Sequence, residues 1–406
     1  MLSKELIHEK AVELHTPMKE FAKKIIRLRS DTGKEKEVAD AIYDEAVKLG
    51  YDEVVRDRTG NIVAIMKGDN TGDSLMFNCH MDQVDPGDLS AWQYDPFGGV
   101  EADGFIHGRG ASDTKGAIAT QLYAGALVRN LGVKLAGDLI FTFVVEEEPG
   151  DMWGMIRLSE DWLGDRRPAL CISGEATGGD FAMGHRGRLE IQVVSKGKNS
   201  HSSAPWLGIN AVSKMAPMIM ALDKMAENLP SDGNFRGSMS IIAIDCTPGF
   251  NCVVPDSCTI NIDRRFTTSE TVEEILESVR KLAEEVKKND PEADFEVRVR
   301  KLEHTSYTGV HEFADMIKPA YITPDDNPYV QKARAALNRL GKNPRTYYWD
   351  FGTDAAYISN TLKIPVIGYS PCEEKYCHQP IDRVSIELME EVLEGYAAIC
   401  IEIAWK

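Results

Sequence analysis

Short apolar runs that stop abruptly at an acid or an imidazole constrain this chain most. Leu75-Met76-Phe77-Asn78-Cys79 runs into His80-Met81-Asp82, Phe143-Val144-Val145 into Glu146-Glu147-Glu148, and Leu170-Cys171-Ile172-Ser173 into Gly174-Glu175. Runs of this length without polar alternation read as strands buried on both faces. Residues 62–66 and 364–369 are further runs of the kind. Between them, residues 35–49 carry Val38, Ala41, Ile42 and Ala46 at helical spacing and stop at Gly50, and residues 114–130 carry Ile118, Leu122, Ala126 and Leu127 likewise. Helices are also predicted around 329–340 and through Leu388, Val392, Tyr396 and Ile399. The alternation predicts an α/β layer fold, with helices flanking a largely buried sheet.

From residue 187 the pattern changes. Leu189, Ile191 and Val193 alternate with polar residues, as in a strand with one wet face. A helical stretch over 210–226 follows, then strands near 239–244 and 259–262. Thr271-Val272-Glu273-Glu274 is a capping box that opens a helix with Ile275, Leu276, Val279, Leu282 and Val286 on one face. A last strand alternates Phe295, Val297 and Val299. The order βαββαβ predicts a ferredoxin-like α+β unit. Because the α/β pattern returns near residue 305, this unit is expected as an insertion, residues 186–302, in a domain built from 1–185 and 303–406.

A chain of 406 residues with 43% hydrophobic content exceeds what one core usually serves, in keeping with two domains. Its 46 basic and 64 acidic residues give a net charge of −18, and no Lys/Arg cluster would track a phosphate backbone, which argues against nucleic acid as a partner. The N-terminal segment lacks the apolar core of a signal peptide, and no uninterrupted apolar stretch reaches ~18 residues. A cytoplasmic protein with no membrane partner is expected. The eight cysteines are dispersed with no CxxC pair, so most are expected buried and reduced.

The residues that end the runs carry chemistry. His80 and Asp82 lie two apart at a strand end, so both side chains point the same way, and one can ligate a metal while the other supports it. Asp113, in Gly108-Arg109-Gly110-Ala111-Ser112-Asp113-Thr114-Lys115-Gly116, precedes a helix in a glycine-rich loop. Glu146, Glu147 and Glu148 would crowd carboxylates at a buried sheet edge, which is unfavourable unless cations or protons offset them. Glu175 ends its own strand, and His378 follows the 364–369 run through a short loop. Ligands at several strand ends meet at one end of an α/β sheet. Carboxylates with imidazoles and no thiolate suit Zn²⁺, Mn²⁺ or Co²⁺, and two ions satisfy this set better than one. Each feature has a plainer alternative: polar loop residues for His80 and Asp82, a helix N-cap for Asp113, a solvated loop for the glutamates.

Taken together, these residues make the chain resemble the dinuclear-zinc amidohydrolase/peptidase family that includes aminoacylase, acetylornithine deacetylase, succinyl-diaminopimelate desuccinylase and carboxypeptidase G. In the texture of Arg186-Gly187-Arg188-Leu189-Glu190, Ser200-His201-Ser202-Ser203-Ala204-Pro205 and Ile262-Asp263-Arg264-Arg265 it is most similar to the selenium-metabolism-linked hydrolases. The resemblance implies a zinc-peptidase-like catalytic domain with a mixed sheet and an inserted dimerisation, or lid, domain. It implies that Asp113 bridges two divalent metal ions, foremost Zn²⁺, with His80 and Glu175 completing one site and Glu148 and His378 the other. Asp82 would orient His80, and Glu147 would be the general base; a register shifted to Glu146/Glu147 stays open. His201 would enter the partner's active site in a homodimer and stabilise the oxyanion, where a plain loop histidine is the alternative. Asn251 and Arg265 match positions that hold the substrate carboxylate, and Gly352-Thr353 resembles the glycine loop beside it; a surface ion pair and a simple turn are the alternatives for Arg265 and the loop. Ala176-Thr177 stands where Pro-Thr is common, Asp382 where Glu is frequent, and Tyr347-Tyr348-Trp349-Asp350 matches no family motif and reads as core.

The expected activity is hydrolysis of an amide, peptide or related C–N bond by a metal-activated water, in a small carboxylate-bearing substrate such as an N-acyl amino acid, a dipeptide or an N-carbamoyl amino acid. Two competing expectations are a non-catalytic metal-binding or assembly protein of the same fold and a metallophosphohydrolase. The intact ligand set with Glu147 argues against the first, and the lack of a second basic cradle for phosphate against the other.

Overall fold

The computed structural model describes residues 2–249 and 251–405. Its larger sheet runs in the order Glu53–Arg56, Ile62–Met66, Leu139–Val144, Leu75–His80, Leu170–Ser173, Val366–Gly368, Phe181–His185, Tyr321–Ile322, and Thr346–Trp349 pairs alongside Phe181–His185. The neighbours from Leu139–Val144 to Val366–Gly368 are parallel, whereas Ile62–Met66 and Glu53–Arg56 join antiparallel, so the sheet is mixed. The parallel centre explains the abrupt polar endings: His80, Glu146 and Glu175 leave neighbouring strands at the same edge.

Alternate residues of these strands feed two cores. Phe77, Phe141 and Ile172 face the helices Lys4–Arg27, Gly116–Asn130 and Ile386–Ala404, and the register pair Phe77/Phe141 stacks at 4.6 Å. Met76, Ile140, Cys171 and Val366 face the short helices Trp153–Leu158 and Ala355–Asn360. Strands covered on both faces favour apolar residues on both, which is why they lack alternation.

The smaller sheet runs Ser238–Thr247, Ser257–Phe266, Gly187–Lys196, Asp294–Val299, antiparallel throughout, with Ile317–Lys318 also on Gly187–Lys196. With helices Ala211–Ala226 and Val272–Asn289 it has the chain order and strand order of a ferredoxin-like unit. Ser257–Phe266 alternates buried and half-buried residues along its length, and Thr271 and Glu274 form both halves of the capping box.

The structure departs from expectation locally. The helix predicted over 114–130 begins at Gly116, because Asp113 and Thr114 have non-helical dihedrals. A hairpin, Lys301–Thr305 with His311–Asp315, precedes the return to the larger sheet. Five cysteines are buried, but Cys246 and Cys252 are exposed on the smaller unit.

Candidate metal centre

The strand ends bring acids and imidazoles together around Asp113. His80 Nε2 lies 2.9 Å from Asp113 Oδ1 and 3.8 Å from Glu175 Oε1, and His378 Nε2 lies 3.0 Å from Asp113 Oδ2 and 3.1 Å from Glu148 Oε2. Thus one carboxylate faces two imidazoles, one through each oxygen. Each triad, His80/Asp113/Glu175 and Asp113/Glu148/His378, offers ligand atoms within 4.8 Å of one another. Ligands around a tetrahedral ion held at about 2.0 Å stand about 3.3 Å apart, so this spacing fits a cation in each triad. Glu148 Oε1 is buried with no hydrogen-bond partner among the described residues. An orphaned carboxylate oxygen beside an imidazole suits a cation and little else.

Charge crowding shows in the proton equilibria. Burial pushes Glu148 up to about 7, with Asp113 adding to it, and pushes Glu175 well above the carboxylate range. Burial raises Asp113 too, but hydrogen bonds with His378 and His80 outweigh it and hold this carboxyl below its usual range. Bonds to Asp113 and Glu148 lift His378 to about 10. In effect the acids need positive charge.

A shell behind these groups fixes them. Asp82 accepts the N–H of Glu147 on Oδ1 at 3.0 Å and that of Glu148 on Oδ2 at 3.1 Å, and its Oδ1 lies 3.3 Å from His80 Nδ1. Glu146 turns away from the triads, with Oε2 on His304 Nδ1 at 2.7 Å. Asp382 accepts the N–H groups of Gly110 and Ser112 at 2.7 and 2.9 Å, which pins the Asp113 loop to the segment that carries His378.

The sequence pattern of peptidase family M20/M25/M40 matches residues 76–402, from the strand that ends in His80 into the terminal helix. The chain belongs to this family. It is 32% identical over 399 residues to the uncharacterized protein YgeY of Escherichia coli (strain K12), covering 97% of this chain and 96% of that one. It is 30% identical over 266 residues to succinyl-diaminopimelate desuccinylase of Buchnera aphidicola subsp. Acyrthosiphon pisum (strain Tuc7), covering 64% of this chain and 70% of the relative. YxeP of Bacillus subtilis, described as a dinuclear metal binding peptidase from M20 family, shares the fold with a TM-score of 0.69 at 17% identity, over 96% of this chain and 98% of that one. This M20 protein is therefore a metal-dependent hydrolase of the amide- and peptide-cleaving kind. Among its described residues no helix is long and apolar enough to cross a membrane.

A cavity of about 370 Å³ opens on the triads. Glu147, Arg265 and Gly352 line it, whereas Thr353 is buried behind it, its N–H donating to His185 Nε2 at 3.1 Å. His201 and Asn251 are exposed on neighbouring loops of the smaller unit and do not line this cavity; a backbone bridge pairs His201 with Val253. Four contributors were given no site role by the sequence. Arg188 and Lys318 line the cavity from the junction of the two sheets. Trp349, which reads as core, is buried and donates from Nε1 to Ala176 O at 2.8 Å, and Tyr347 OH donates to the same oxygen at 3.1 Å, so this aromatic pair holds the Glu175 loop.

Proposed function

We propose that this chain hydrolyses an amide, peptide or related C–N bond in a small substrate bearing a free carboxylate: an N-acyl amino acid, a dipeptide or an N-carbamoyl amino acid. One observation carries this reading: the cavity that holds the acid/imidazole triads also presents Arg265. Asp263 already holds the Nε and Nη2 of Arg265 at 2.6 and 3.2 Å, which leaves Nη1 to meet a carboxylate terminus. In this reading His80, Asp113 and Glu175 hold one divalent ion and Asp113, Glu148 and His378 the other, with Zn²⁺ favoured and Co²⁺ or Mn²⁺ compatible. Such ions supply Lewis acidity and acidify water.

The chain's own residues do the rest. Glu147 takes a proton from the attacking water at its carboxylate and returns it to the leaving nitrogen. Asp82 keeps the His80 ring oriented. Arg265 holds the substrate carboxylate, with Gly352 and Thr353 forming the loop beside it. His201 and Asn251 would act on the active site of a second copy. Supporting that arrangement, Ser238–Thr247 is an edge strand with exposed Ile242 and Ile244, on the same unit as exposed Met220 and Trp206. An unpaired apolar edge of this kind favours pairing between copies.

The test is metal content per chain, with hydrolysis of a panel of N-acyl amino acids, dipeptides and N-carbamoyl amino acids before and after chelation. Bound metal and chelator-sensitive cleavage of a panel member are expected. Full metal loading without cleavage of any member, or cleavage of phosphoesters instead, would reject the proposed substrate class.

A further inference from the structure

Lys318 stands where the two units meet. The chain leaves the larger sheet through Phe181–His185 and enters the smaller through Gly187–Lys196; it returns along the same ribbon, with Ile317–Lys318 paired to Leu189 and Arg188, and Tyr321–Ile322 paired to His185 and Gly184. The Lys318 side chain is 2% exposed, and a buried ammonium is unfavourable unless paired. Its Nζ donates to Glu147 Oε1 at 2.6 Å and to Gly352 O at 3.0 Å. Close enough to act on it electrostatically is Asp354, buried, with both carboxylate oxygens lacking a hydrogen-bond partner among the described residues.

This pair is one-sided in an informative way. The Glu147 backbone is already fixed by its N–H bond to Asp82, as is that of Glu148. What Lys318 adds is the orientation of the Glu147 carboxylate alone. We infer that Lys318 is a positioning residue: its ammonium sets the Glu147 carboxylate over the cavity and ties that setting to the ribbon joining the two units. The inference rests on the reading of Glu147 as the proton carrier. It differs from a substrate contact, which would act on binding, and from a purely structural ion pair, which would act on folding and metal retention.

The test compares Lys318→Met, Lys318→Arg, Glu147→Gln and the double variant Lys318→Met/Glu147→Gln. For Lys318→Met the expectation is wild-type metal content, KM within about threefold and kcat lower by about 10- to 100-fold, the scale of a misplaced catalytic group. Lys318→Arg, which can still donate to the carboxylate, recovers part of that loss. The double variant is no slower than Glu147→Gln, because Lys318 acts through Glu147. In crystals of Lys318→Met the Glu147 carboxylate leaves its position while its backbone stays. Unchanged kcat, a rise in KM alone, loss of metal, or losses that add in the double variant would each overturn the inference. Should the methionine variant not fold, Lys318→Gln carries the same comparison. If Glu147→Gln itself keeps wild-type turnover, the proposed role of Glu147 fails instead, and the two failures are told apart.

Discussion

The Asp82 carboxylate binds two successive backbone N–H groups, those of Glu147 and Glu148, and also accepts Thr32 Oγ1 at 3.0 Å while standing beside the His80 ring. Replacing it with an amide leaves one acceptor oxygen where the native residue has two. In Asp82→Asn one of the glutamate N–H groups is therefore left unmatched in a buried place, and His80 loses its negative neighbour. The expected outcome is metal affinity weaker by about 10- to 100-fold, read from competition with a chelator. Glu147→Gln separates from this, because the carboxamide keeps shape and loses the proton carrier. Metal content should stay at the wild-type level and turnover should fall by about 10²- to 10⁴-fold. Wild-type turnover in that variant would remove Glu147 from its proposed role.

At the scale of elements, the segment after Val144 is held by the hairpin Lys301–Thr305/His311–Asp315. From this hairpin His304 reaches Glu146 with Nδ1 and Asp151 with Nε2, and its ring stacks on Trp153 at 4.7 Å. Both ring nitrogens face carboxylates, so the clamp needs the imidazolium. Burial lowers the pKa, but the bonds to Asp151 and Glu146 outweigh it and lift it from 6.5 to about 9. Because the folded value lies above the unfolded one, the stabilisation is complete below pH 6.5 and is lost as pH rises through about 9. It is worth on the order of 3 kcal/mol at most. Wild-type Tm should thus fall from pH 6.5 to 9 more steeply than that of His304→Gln; parallel curves for the two proteins would reject the clamp. None of this was legible in the sequence, since a lone histidine in an exposed hairpin has no periodic neighbour to mark it. Glu148, Glu175 and His378 were singled out because each follows a buried apolar run, a position that local pattern can locate, and Asp113 because it sits in a glycine-rich loop ahead of a helix. Lys318 and Trp349 act across long sequence separations, where the fold supplies the partner and local pattern is silent.

For the whole molecule, the insertion was visible as a change of sequence period at residue 187, from unbroken apolar runs to alternation; in the structure Gly187–Lys196 is itself mostly buried, and the alternation of a sheet covered on one face shows on its neighbour Ser257–Phe266. The smaller unit lends Arg188 and Arg265 to the cavity of its own chain, and the proposed dimer would add a contribution across the interface. His201 and Asn251 lie off the cavity of their own chain, on the unit that also bears the apolar edge strand Ser238–Thr247. If each site combines Glu147 of one copy with His201 of the other, the two defects complement. Glu147→Gln and His201→Ala homodimers should each be nearly inactive, since each of their sites lacks one group. In a mixed dimer the site on the His201→Ala chain has its own Glu147 and receives His201 from its Glu147→Gln partner. Random exchange of an equal mixture makes half the dimers mixed, each with one intact site of two, so activity should return to about a quarter of wild type. Placing a charge on the edge strand, as in Ile244→Lys, should abolish both dimer formation and this recovery. Activity that stays at the level of the separate variants after verified exchange would show that His201 serves no partner site.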